Sequence, residues 1–387
     1  MKLVGRLVET GRGACVEVEG GLVRDVRSED ATGEVWIAAG LVDLQVNGYG
    51  GSDVNDPGMS ADTVVDLAVK QWRAGVTSFF PTVISATEED ITGRLRAISA
   101  ARQSDPAVAR AIPGIHVEGP YLSAQDGPRG VHPAGVLRDP SIEELSRWQR
   151  AADGLVRIVT LAPELPGAMD YIRAAALEGV VVAIGHTACD PEDIVRAADA
   201  GARLSTHLGN GAHAVLPRHP SYLWSQLSED RLVASFVADG HHLSGATLKA
   251  MLRSKTVGRS VLVSDSTSLA GMPPGRYQTA VGGDVTLTPD GRLTSVGTPY
   301  LAGSAASLLD CVCGATRHGD ATLAESVQMA SLNPRALLGL DGGRVRVGAP
   351  ADLSVFRWHR DSGTADPVLT VLGGSVVHDD GSGAATR

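Results

Sequence analysis

No segment of the 387-residue chain approaches the ~20 consecutive apolar residues that a membrane helix requires, so a spanning helix is excluded and no membrane partner is expected. The first residues, Met1 to Val8, lack the long apolar core of a secretory signal, and a cytoplasmic location is the expectation. Cysteine is scarce. Cys15, Cys189, Cys311 and Cys313 are scattered in a way that fits no disulfide framework, and Cys311-x-Cys313 alone is a weak metal signal, so all four are expected to be reduced structural thiols. Basic charge is in deficit. At a net charge of −10 a nucleic-acid backbone is not an expected partner, although a local Arg or His can still take a small phosphorylated ligand. Short-period repeats and low-complexity tracts are also missing.

What is present is a globular composition, 43% apolar and 20% charged, on a chain too long for one ordinary layered core but suited to a barrel with an appendage. Residues 1–38 are short β-leaning pieces broken by Gly: Lys2–Thr10, Ala14–Glu19 and Leu22–Val26. The last part, 343–387, looks alike, with Gly343–Val347, Asp352–Trp358 and Val368–His378. Neither end can bury a core alone. Together they are expected to build one small β-sandwich domain, leaving 39–342 for the other.

That middle part alternates. Apolar runs at Leu41–Val46, Val76–Phe80, Ile115–Val117, Val156–Leu161, Val180–Ile184, Arg203–Thr206, Leu232–Ala238 and Val261–Ser264 read as eight buried strands. Helical stretches separate them: Ser60–Ala74, Thr87–Ala101, Ser141–Ala152 with a Ser141/Glu144 capping box, Ala168–Glu178, and one opened by Asp190-Pro191 and closed by Gly201. Eight β/α units predict an α/β fold, a (β/α)8 TIM-type barrel; pattern alone also admits an open sheet.

Parallel sheets place their chemistry at the carboxyl ends of strands. Here those ends carry Gln45 and Asn47, Glu118, Glu164, His186, His207, Asp239 with His241 and His242, and Asp265. Burying Glu118, His186 and His207 on separate strands without a shared purpose would be costly. Two imidazoles and a carboxylate suit a zinc with one position open, and the carboxylate of Asp265 could move protons. The pattern points to a metal-dependent hydrolase.

The surrounding motifs narrow this. Gly40-Leu-Val-Asp-Leu-Gln-Val-Asn-Gly-Tyr-Gly-Gly51 resembles the first-strand motif of the amidohydrolase superfamily. His116-Val-Glu-Gly-Pro-Tyr121, Gly185-His-Thr187, Thr206-His-Leu-Gly-Asn210, Ala238-Asp-Gly-His-His242, Ser264-Asp-Ser266, Leu301-Ala-Gly-Ser304 and Asn333-Pro334 follow. In order and spacing the set resembles the N-acetylglucosamine-6-phosphate deacetylases over nearly the whole chain. The resemblance implies one divalent metal, Zn2+ or Fe2+, on Glu118, His186 and His207, with Asp265 as catalytic acid–base and His132 stabilising the oxyanion. It further implies substrate contacts from His132, Asn210, Gly211, Arg218, His242, Leu301, Ala302 and Gly303. Arg218 and His242 would take the phosphate, with His242 rather than His241 facing the ligand. A homodimer is implied, in which a neighbouring subunit completes the phosphate site.

The chain departs from that pattern in three places. Gln45 and Asn47 stand where a His-x-His pair often holds a second metal, which predicts a one-metal site. Gly209 and Gly211 replace an aromatic residue and Ala beside Asn210, with an extra His213. Thr298-Pro-Tyr300 lengthens the loop before Leu301. The expected reaction is therefore deacetylation of N-acetylglucosamine 6-phosphate. Another N-acetylated amino sugar or secondary-metabolite amide is the alternative, and a non-catalytic sugar-phosphate regulator would have no use for Asp265.

Overall fold

The computed structural model describes residues 1–30, 33–279, 282–297 and 301–385. Eight parallel strands form its centre: β1 (Leu41–Val46), β2 (Val76–Ile84), β3 (Ile115–Glu118), β4 (Val156–Leu161), β5 (Val181–Ile184), β6 (Leu204–Ser205), β7 (Val233–Phe236) and β8 (Ser260–Leu262). They lie in chain order, and a helix follows each before the next begins. Every residue of β1, β2 and β3 is buried, as strands covered on both faces require. The seam between β8 and β1 closes beyond the end of β8, where Val46 pairs with Ser266 in parallel and the Asn47 N–H donates to the Ser266 carbonyl at 2.9 Å. Lower on the seam the Asp43 carboxylate replaces a ladder bond, accepting from the Ser264 N–H at 3.1 Å. The result is the expected (β/α)8 barrel.

The two chain ends meet in one seven-stranded mixed sheet with its own apolar cluster, including Leu3, Val16, Ile37, Val355 and Val371. The strand Val35–Ala39 joins this sheet to the barrel. Its side chains alternate: Val35 and Ile37 enter the end cluster, whereas Trp36 and Ala38 enter the barrel cluster. Buried polar groups tie the layers. Ser354 Oγ accepts from the Leu41 N–H at 3.0 Å and donates to the Gly75 carbonyl at 2.6 Å. Arg335 Nη1 donates to the Gly40 carbonyl at 2.6 Å.

Three readings change. Gly343–Val347 forms no strand. Val368–His378 is two strands, Thr364–Leu372 and Ser375–Asp379, because Gly373 and Gly374 take φ of +56° and +82° and turn the chain between them. Between β8 and its helix stands an unexpected antiparallel sheet, Gly275–Thr279, Gly283–Leu287 and Leu293–Ser295. Thr298–Tyr300 lie outside the described residues. Among the described residues, no helix is long and apolar enough to cross a membrane.

Candidate active site

Each key side chain sits at or just past the carboxyl end of its strand. His186, His207 and Asp265 all take left-handed backbone, with φ of +51°, +28° and +47°. Non-glycine residues adopt such geometry at a cost and keep it only where their surroundings enforce it. Glu164, three residues past β4, anchors the chain just after His186: its carboxylate accepts from Thr187 Oγ1 at 2.5 Å and from the Ala188 N–H at 2.7 Å. Beside His207, Ser235 Oγ accepts the His207 N–H at 2.7 Å.

Glu118 ends β3 and completes the cluster. Its Oε1 is 3.0 Å from His207 Nε2 and 3.4 Å from His186 Nε2, and the two Nε2 atoms are 3.1 Å apart. His186 Nδ1 lies 2.8 Å from the Pro128 carbonyl oxygen, which can only accept, so Nδ1 carries a proton and Nε2 is the nitrogen turned into the cluster. Burial opposes the charge on Glu118, yet hydrogen bonds from His186 and His207 hold its carboxyl well below the usual range. Burial lowers His207, but its hydrogen bond to Glu118 and the charges of Glu118 and Asp265 together outweigh that and push it up to about 8. Two imidazoles and an ionised carboxylate crowded this closely favour a positive centre. Metal bonds of ~2.0 Å at tetrahedral angles leave ligand atoms roughly 3.3 Å apart, which these spacings match. The buried Glu118–His186–His207 group is thus consistent with a metal site.

Gln45 and Asn47 reach the same cluster from the end of β1. Gln45 Nε2 donates to Glu118 Oε1 at 3.0 Å, and Asn47 Nδ2 donates to Asp265 Oδ1 at 2.9 Å. Each amide orients a carboxylate. Burial pushes the Asp265 carboxyl up, against the nearby His207 charge. His132 is buried edge-on to His186, ring centres 4.4 Å apart, with Nδ1 2.9 Å from Ser85 Oγ. Burial lowers it to about 3, so its ring is neutral.

These groups open on a cavity of about 570 Å³. His132, Asn210, Gly211, His242, Leu301, Ala302 and Gly303 all line it. His242 faces the cavity while His241 turns away, its Nε2 2.9 Å from the Asp290 carbonyl oxygen. Asp239 fixes this split, accepting both backbone N–H groups at 2.9 Å and His242 Nδ1 at 2.7 Å. Arg218 does not join them: it is exposed and lines no part of the cavity. Among the described residues Arg129 is the only Arg or Lys on the wall, and Asp53, Asn55 and Ser268 line it as well. None of these four carried a sequence signal beyond lying near a motif. Pro289-Asp-Gly291 is the one turn signal that could have revealed the hairpin whose sheet supplies Val285 and Leu293 to the wall.

The Amidohydrolase family model matches residues 36–377. The chain belongs to the amidohydrolase family. Within it, this amidohydrolase groups with the N-acetylhexosamine-6-phosphate deacetylases. It is 33% identical over 314 residues to the N-acetylgalactosamine-6-phosphate deacetylase of Escherichia coli O157:H7, covering 81% of each chain. It is 30% identical over 343 residues to the N-acetylglucosamine-6-phosphate deacetylase of Bacillus subtilis, covering 87% of this chain and 83% of that one. Among solved structures, the Mycobacterium smegmatis N-acetyl-D-glucosamine-6-phosphate deacetylase superposes with a TM-score of 0.83 at 28% identity, covering 95% of this chain and 96% of that one. A substituted form of the M. smegmatis enzyme has been solved with N-acetyl-D-glucosamine 6-phosphate bound. The expectations of a metal-site hydrolase and a deacetylase of this family are met.

Proposed function

We propose that this amidohydrolase converts N-acetylglucosamine 6-phosphate to glucosamine 6-phosphate and acetate. The observation that carries this reading is the convergence of Glu118, His186 and His207 beside the Asp265 carboxylate, at a cavity lined by Asn210 and His242. One divalent ion per chain, zinc or ferrous iron, would be held by the three ligands and would supply Lewis-acid polarisation and acidification of a water toward pH ~7. Asp265, raised by burial, is suited to take a proton from the attacking water and return it to the leaving nitrogen. Neutral His132 can donate a hydrogen bond to the oxyanion. Asn47 holds the Asp265 carboxylate in place for both transfers.

On the substrate side, Asn210 and Gly211 would meet the sugar, the Leu301–Gly303 segment would line it, and His242 would receive the phosphate. Arg218, exposed on its own subunit, would serve the partner's phosphate site in a homodimer, and a cytoplasmic location suits the phosphorylated substrate. A second reading, N-acetylgalactosamine 6-phosphate, is favoured by the 33% identity to the E. coli enzyme and by the altered Gly209–His213 wall. Acetate release should be assayed on both phosphorylated sugars and on their unphosphorylated forms, with metal content measured alongside. Turnover greatest on N-acetylglucosamine 6-phosphate with about one metal per chain is expected. Preference for the galacto epimer selects the second reading, and equal turnover of free sugars rules out both.

A further inference from the structure

The extra His213 has a place in the geometry. Its Nε2 lies 3.1 Å from Gln125 Oε1, which only accepts, so Nε2 carries the proton and Nδ1 is an acceptor. Tyr222 Oη, 3.0 Å away, donates to Nδ1 and accepts the His213 N–H, also at 3.0 Å. All three groups are satisfied in one neutral arrangement. The imidazole joins two loops on different strands. One follows β6 and carries Asn210 and Gly211. The other follows β3 and carries Gln125, Pro128 and His132. The loops touch at Gly127, where φ is +90° and a methyl group would lie 3.0 Å from the Ala212 carbonyl oxygen and 3.1 Å from His213 Cα. A side chain there would strain the backbone and crowd the facing loop.

We propose that the Tyr222–His213–Gln125 chain is a latch that sets the width of the substrate cavity between these loops, with His213 as a positioning residue for sugar binding. The kinetic part of this inference rests on the deacetylase reading; the latch itself does not. Breaking the latch loosens the wall that receives the ground-state sugar, whereas Glu118, His207 and Asp265 stand on other supports, His132 keeps its own tie to Ser85, and Glu164 still anchors the residues after His186. The expected loss is therefore in KM rather than kcat.

Two measurements test it on the full-length, metal-loaded enzyme. Without substrate, His213→Ala should speed amide exchange in both 125–132 and 209–214 while the barrel strands keep their protection. Acceleration confined to 209–214 would overturn the latch. With whichever N-acetylhexosamine phosphate turns over, His213→Ala and Gln125→Ala should each raise KM about tenfold with kcat within about threefold, consistent with losing a hydrogen bond that positions the sugar. The double variant should be no worse than either single one. His213→Gln, which keeps a donor toward Gln125, should recover most of the loss. Additive effects, or a fall in kcat alone, would overturn the positioning role. If no sugar turns over, the functional reading fails while the exchange experiment still decides the latch.

Discussion

Asp43 lies wholly inside the barrel on β1, with Oδ1 bonded to the Ser264 and Gln45 backbone amides and Oδ2 without a hydrogen-bond partner among the described residues. Burial pushes its carboxyl up to about 7, more than these hydrogen bonds lower it. An unfolded Asp titrates near 4, so between roughly pH 4 and pH 7 the folded state holds the extra proton and stability from this group falls as pH rises. Asp43→Asn keeps the acceptor and removes the charge. It should flatten that slope and stabilise the protein at pH 8 by an amount on the order of a few kcal/mol, seen in urea unfolding at pH 5 and pH 8. An unchanged slope would assign the titration elsewhere. Asp265 has a different job, and Asp265→Asn should retain metal and fold yet lose about three or more orders of magnitude in kcat. Near-native turnover would end its assignment. Glu118, His186, His207 and Asp265 were legible because each closes an apolar run. His213 was visible only as a departure, since its partners Gln125 and Tyr222 are distant in sequence.

The helix Leu308–His318 packs on the barrel through Gly314, where a methyl group would fall 1.7 Å from the Ala238 carbonyl oxygen. Gly314→Ala must push the helix outward or bend the end of β7, at a cost of about 1–3 kcal/mol. Ala238 precedes Asp239, the anchor of His242, so KM should rise together with the loss of stability. Thermal unfolding and substrate titration check this, and a variant with native Tm and KM would contradict it. The barrel strands could be read from sequence because buried parallel strands are apolar throughout. The first strand of the small antiparallel sheet could not: Gly275-Arg-Tyr-Gln-Thr279 alternates between half-buried and exposed and carries no apolar face to announce it. Gly343–Val347 misled for the opposite reason: its residues lean to β, yet it forms no ladder among the described residues.

At the scale of the whole molecule, a single chain leaves Arg218 outside its own cavity, and the resemblance that put it at the phosphate could not say on which subunit. If Arg218 serves a partner's site, mixing subunits is decisive. Homodimers of Arg218→Ala should bind the phosphorylated sugar weakly, and homodimers of Asp265→Asn should not turn it over. In mixed dimers the Arg218→Ala subunit keeps Asp265 and borrows the partner's guanidinium, so a fraction of activity should return with native KM. Recovery with only the weak KM would confine Arg218 to its own chain.

The strand Val35–Ala39 pairs on one side with Lys2–Leu7 and on the other with Leu353–His359. The tie just beyond it, from Leu41 to Ser354, spans 313 residues of sequence. This has a kinetic meaning. Closing so long a loop is slow, and contacts on the far side offer no return until it is closed. A chain emerging from the ribosome can assemble its barrel early, yet must hold one flank of that strand unpaired until the distant segment arrives. Its half-made state therefore presents an open strand edge, the species on which aggregation competes with folding.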